Sequence, residues 1–95
     1  MENLKQFPVK SPQTASRVVD GEAVVVLPMS SEINTLNAVG TRIWELADGS
    51  HSVSDIIDRI KYEFEIDTET VKRDTVSFIS ELITRNMVNL NDSPA

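Results

Sequence analysis

The chain has 95 residues, no cysteine, and a formal charge of −6 from nine Lys and Arg against fifteen Asp and Glu. That length supports one hydrophobic core and no second domain, and the lack of cysteine excludes a disulfide framework, thiolate zinc sites and iron–sulfur ligation. The acidic balance argues against a nucleic-acid partner, which is ordinarily met by a basic stripe.

Residues 1–14 carry Pro8 and Pro12 without helical or strand period and read as an extended arm outside the core. Asp20-Gly21 then separates a run ending in Arg17-Val18-Val19 from Glu22-Ala23-Val24-Val25-Val26-Leu27. A two-residue primed turn needs positive φ at both central positions, so Asp-Gly between β-branched runs predicts an antiparallel hairpin. Pro28-Met29-Ser30-Ser31 breaks the second strand, and residues 32–36 form a third, at the edge of a three-stranded meander. That edge contains neither Pro nor Lys, the usual protection against added strands. It is open to pairing with a peptide, unless the arm, the tail or a neighbouring molecule covers it. Its period poses a problem, because in a regular strand Ile33 and Leu36 face opposite ways. Either Leu36 already belongs to the bend that follows, or Ile33 faces outward.

Asn37 is an N-cap for a helix over 38–47 that carries Val39, Ile43, Trp44 and Leu46, with Asp48-Gly49 placed to end it through a left-handed glycine. Gly40 inside this helix costs roughly 1 kcal/mol relative to Ala, which predicts something packed closely against that backbone. Trp44 and Phe78 are assigned to the core. Ser52 and Asp55 form a capping-box variant opening a second helix, with Val53, Ile56, Ile57, Ile60 and Phe64 on one face. A third helix opens at Asp67, where Ile66 and Val71 make a hydrophobic staple. Its apolar residues continue to Ile83 over an arc near half the circumference, wider than the ~100° stripe one contact needs, so it touches two surfaces. Residues 87–90 add a short extended piece, and 91–95 read as a frayed tail.

Charge is uneven along this order. Residues 1–47 hold five acids against four bases and residues 48–95 ten against five, so the helical half is the acidic half. No apolar run approaches the ~20 residues of a membrane helix, and no apolar signal core follows Met1, so the reading is a cytoplasmic protein with no membrane partner. The only histidine, His51, lies in Asp48-Gly49-Ser50-His51-Ser52. Neighbouring Ser and His on one loop are poor evidence for a catalytic triad, whose members come from distant rigid elements. One His and scattered carboxylates make no metal site, and three glycines leave no phosphate cradle. No catalytic residue, metal or cofactor is expected.

The order of three strands and three helices, with Leu36-Asn37, Ile43-Trp44-Glu45-Leu46, Asp48-Gly49, Val53 through Ile57, Asp74 through Phe78 and Glu81-Leu82, resembles the PqqD-like family. These are small winged-helix peptide chaperones named after a pyrroloquinoline quinone synthesis protein. The resemblance implies an α+β, winged helix-turn-helix-like domain over 15–90. It also implies a non-catalytic role: binding the leader of a ribosomally made precursor peptide and presenting it to a modifying enzyme, often a radical S-adenosylmethionine (SAM) enzyme. In such proteins the leader adds as a strand beside the third strand and packs against the third helix. Here that implies backbone pairing by Glu32, Ile33, Asn34, Thr35 and Leu36, and a groove formed or supported by Val71, Thr75, Phe78, Ile79 and Leu82. Thr75 stands where the family more usually has an aliphatic residue, and Asn86-Met87 where a helix-ending Gly is common. The rival readings are a DNA-binding winged helix, disfavoured by the acidic helical half, and a structural subunit of the modifying complex. The expected assembly is a monomer or homodimer.

Overall fold

A computed structural model describes residues 4–27 and 32–95, Glu32 by its backbone alone. The elements run β1 (Phe7–Lys10), β2 (Ala15–Val19), β3 (Glu22–Leu27), β4 (Glu32–Thr35), α1 (Ala38–Leu46), α2 (Val53–Phe64), α3 (Thr68–Thr84) and β5 (Val88–Asn91). Strands β2, β3 and β4 form an antiparallel sheet in that order. The hairpin turns at Asp20 and Gly21 with φ of 51° and 80°, the positive pair a primed turn demands. The expected break at 28–31 lies outside the described residues.

The helices begin where local chemistry predicts. Asn37, Ser52 and Asp67 are the three N-caps, and Ser52 and Asp55 complete the capping box reciprocally. The end of α1 differs from the expectation. The cap is Ala47, whose N–H reaches Ile43 O and Trp44 O. Gly49, at φ +85°, instead turns the chain past β1, donating its N–H to Pro8 O at 2.9 Å.

The arm is the main correction. It does not lie outside the core: β1 pairs antiparallel with β5 in a second, two-stranded sheet, and Pro8 is fully buried. Further back, the carbonyls of Gln6 and Leu4 accept from Val53 N–H and Ser54 N–H, both at 2.9 Å. These are first-turn donors of α2 that no intrahelical acceptor can reach. The last residues are tied as well, since Asn91 belongs to β5 and Ala95 N–H donates to Gly49 O at 2.8 Å.

Burial falls into two groups. Ala23, Val25, Leu27, Leu36, Trp44, Leu82, Met87 and Val88 pack beneath the three-stranded sheet. Ile43, Leu46, Val53, Ile56, Ile57, Ile60, Val71 and Ile79 pack between the helices. Phe78 and Ile83 of α3 touch both, so the wide apolar arc of α3 does serve two surfaces. Trp44 is buried at 2% exposure, with its indole N–H donating to Ser16 Oγ at 3.1 Å. Phe78 departs from its expected core position and is only half-buried.

An open strand edge beside a groove

β4 is an edge strand: it pairs with β3 and with no other described strand. Leu36 N–H donates to Ala23 O at 2.8 Å, which fixes the phase of the ladder. In an antiparallel pair, alternate residues direct both backbone groups to the partner and the others direct theirs away. With Leu36 and Asn34 directed toward β3, the N–H and C=O of Ile33 and Thr35 point to the open edge. Thr41 holds this phase, since its buried Oγ accepts from Ala23 N–H at 2.8 Å and donates to Leu36 O at 3.2 Å.

The same alternation resolves the difficulty of Ile33 and Leu36. Ile33 faces out at 71% exposure, and alternation turns Leu36, just past the end of β4 at the start of the bend, inward at 8%. Both alternatives hold together. Asn34 faces the helices, where its Oδ1 accepts from Arg85 Nη1 at 2.9 Å.

Val71, Thr75, Phe78 and Leu82 recur at spacings of four, three and four, on the α3 stripe nearest β4. Between this stripe, the bend after β4 and the start of α1 lies a cavity of about 410 Å³, lined by Thr35, Leu36, Val71, Thr75 and Phe78. Val39, Gly40 and Ile43 of α1 and Ile60 and Ile66 close its other side, with Asp74 also on the lining. A smaller depression of about 50 Å³ continues toward the end of α3, lined by Asn34, Glu81, Leu82, Arg85 and Met87. Leu36 and Phe78 are common to both, so the half-burial of Phe78 is that of a groove wall. Gly40 admits the ring: a Cβ there would meet Phe78 Cζ at 3.3 Å.

The surrounding ionic groups hold the frame. Arg42 of α1 binds Glu63 of α2 through two hydrogen bonds, at 2.8 and 3.1 Å, and these hold the Glu63 carboxyl below its usual range. Asp67 caps α3 through Thr70 N–H, and its hydrogen bonds to Thr70 likewise lower its pKa.

The structure thus brings Ile33, Asn34, Thr35 and Leu36 alongside Val71, Thr75, Phe78 and Leu82. Ile79, 1% exposed, lies beneath the groove without lining it, and Glu32 is placed only as the first residue of β4. Sequence reasoning missed Val39, Ile43, Ile60, Ile66, Asp74 and Arg85. The apolar ones were visible as helix faces, but periodicity does not separate a core position from a cavity wall. The His51 loop does gather Ser, His and Asp, with Ser50 Oγ 2.6 Å from Asp48 Oδ1 and His51 Nδ1 3.1 Å from the same oxygen. A triad engages both imidazole nitrogens, one toward Ser and one toward Asp. Here Ser50 and Asp48 both meet Nδ1, as a capped turn would have it.

An open strand edge flanked by an apolar groove under a helix is the framework of a peptide-recognition module. The family described as coenzyme PQQ synthesis protein D (PqqD) matches residues 22–88, and the chain belongs to it. PqqD-like proteins are non-catalytic recognition elements that bind the precursors of ribosomally made, modified peptides. Among solved structures, the chain is similar to one described as TbiB1 in complex with the TbiA(beta) leader peptide. The two are 30% identical with a TM-score of 0.78, over 85% of this chain and 94% of that one. A second, described as lasso peptide synthetase B1 complexed with the leader peptide, is 24% identical with a TM-score of 0.75, over 86% and 96%. It shares the fold. No curated protein matches the chain.

Proposed function

We propose that this protein is a non-catalytic peptide chaperone that binds the leader of a ribosomally made precursor and presents it to a modifying enzyme. The observation that carries the reading is the pair of edge-directed backbones at Ile33 and Thr35 beside the cavity under α3. Glu32 through Leu36 offer the pairing edge, Val71, Thr75, Phe78 and Leu82 the groove, and Ile79 the support beneath. The leader peptide bound by the 30%-identical TbiB1 supports this assignment.

The family resemblance points to a radical SAM enzyme, or another peptide-modifying enzyme, as the partner. We place the protein in the cytoplasm, where ribosomal precursors are made; no helix among the described residues is long and apolar enough to cross a membrane. The test is a titration of the isotope-labelled protein with leaders of precursors encoded beside its gene, followed by NMR. Amide shifts at 32–36 together with α3 are expected. Shifts confined to His51 or α2 would sink the assignment.

A further inference from the structure

The narrow end of the groove is polar. Asn34 Oδ1 accepts from Arg85 Nη1 at 2.9 Å, and Arg85 Nη2 lies 3.6 Å from Glu81 Oε1. Arg85 can only donate, so this contact settles which way round the Asn34 amide lies. Its Nδ2 then points away from the guanidinium, buried and without a hydrogen-bond partner. A buried donor left unsatisfied is unfavourable and calls for an acceptor. The depression of about 50 Å³ that Asn34, Glu81 and Arg85 share with Leu36 and Phe78 has room for a small polar group.

Strand geometry says what can reach it. A peptide paired to the edge groups of Ile33 and Thr35 alternates its side chains between two faces. The residue opposite Ile33 lies on the outer face, and the residue opposite Asn34 lies on the groove face, with Cβ atoms about 4.5 to 5.5 Å apart. That side chain meets an unsatisfied N–H and a guanidinium. Both are donors, and the guanidinium keeps its positive charge although Glu81, 3.6 Å away, offsets part of its field.

We infer that Arg85 and Asn34 form a carboxylate-selecting subsite, which takes an Asp or Glu of the bound peptide on the groove face beside Asn34. The carboxylate accepts from Asn34 Nδ2 and from Arg85, which turns from Asn34 Oδ1 to do so. In a chain of net charge −6 this is a local preference set against the overall field, so it acts as a filter on sequence rather than as long-range attraction. The inference depends on the peptide-binding reading above and adds the chemistry of one position.

The probe is a displayed library of random 12-residue peptides, selected against the wild-type protein and against Arg85→Gln and Arg85→Glu. Wild type is expected to enrich Asp or Glu at one position, fixed relative to the apolar residues that fill the larger cavity. Replacing that acid by Gln or Asn in a selected peptide should weaken binding about tenfold, as expected for a charge-assisted hydrogen bond, and by less than about twofold with Arg85→Gln. Arg85→Glu should move the preference at that position to Lys or Arg. Peptides that need the β4 edge, by loss of binding in Ile33→Pro, yet carry no acid preference would overturn the subsite while leaving the chaperone reading intact. A library that yields no edge-binding peptide would overturn both. The acid-to-amide exchange in the peptide is read on wild-type protein and does not depend on either variant folding.

Discussion

The Cζ of Phe78 lies 3.3 Å from the point a Cβ on Gly40 would occupy, so the glycine and the ring share one small space between α1 and the groove. Gly40→Ala therefore combines opposed effects. Ala gains roughly 1 kcal/mol of helix propensity. The added methyl also presses on Asn37 Oδ1 at 3.2 Å and Leu36 Cβ at 3.4 Å, against the cap and the bend. The ring has the open cavity to move into. The expected outcome is a stability change within about 1 kcal/mol by urea denaturation, with weaker leader binding as the ring narrows the groove. Unchanged affinity in the variant would show that the Phe78 wall is not part of the binding surface.

Ile33→Pro separates binding from folding. Proline removes the backbone donor at a position directed to the open edge, so the β3–β4 ladder keeps its bonds at Asn34 and Leu36 while an added strand loses one of its own. Leader affinity is expected to fall about tenfold or more, with the helical circular dichroism unchanged. Asn34→Pro is the contrasting variant, since it removes a donor directed into the sheet and should destabilise the fold as well. Full leader binding by Ile33→Pro would exclude pairing at this edge.

Phe78 and Ile56 give a paired test of wall against core. Ile56 is 0% exposed and lines neither cavity, and Ile56→Ala is expected to cost about 2 to 5 kcal/mol. Phe78 is half-buried, so Phe78→Ala should cost only about 1 to 3 kcal/mol despite the larger side chain. It should also weaken leader binding in proportion to the lost wall. A cost for Phe78→Ala above that of Ile56→Ala would return the ring to the core.

How far these features could be read in advance follows the range of the interaction involved. The Asp20-Gly21 turn and the caps at Asn37, Ser52 and Asp67 were legible because each is settled within about four residues by backbone chemistry. The strand at Phe7–Lys10 was hidden, since Pro8 masks its period and its partner, Val88–Asn91, lies at the other end of the chain. Phe78 was misplaced because a helical period reports which face is apolar and not whether anything covers it. The Asn34–Arg85 contact joins residues 51 positions apart and left no local trace.

Acid should expose the turn after α1. Asp48 accepts from Ser50 Oγ–H at 2.6 Å and Ser50 N–H at 2.9 Å, and these bonds, with His51 adding to them, lower its pKa from 3.8 to about 2. A carboxyl depressed in the folded state contributes stability that is fully present above its unfolded pKa and is lost as pH falls through the folded one. The contribution is present above pH 3.8 and fades toward pH 2. Because the side chain is 47% exposed, it amounts to less than about 1 kcal/mol. Denaturation curves of wild type and Asp48→Asn should converge as pH drops from 5 toward 2, by about that much. Curves separated by a constant amount across this range would remove Asp48 from the acid response.

Duplex DNA should not bind, although three helices and a hairpin are the parts of a DNA-binding winged helix. A recognition helix needs cations directed at phosphates, and those of α3 and its C-cap are divided. Arg73 lies 3.3 Å from Asp74, and Arg85 lies 3.6 Å from Glu81 and bonds Asn34. Lys72 follows Glu69 on the same exposed side and diverges from Arg73 by about 100°. Surface ion pairs are individually weak, but a face with equal numbers of both signs releases few counterions on meeting a phosphate backbone. Residues 48–95, with ten acids against five bases, add repulsion at longer range. A fluorescence titration against random and genomic duplexes near physiological salt should show no saturable binding at protein concentrations up to about 10 μM. Sequence-selective binding tighter than about 1 μM would replace the peptide chaperone with a transcriptional regulator.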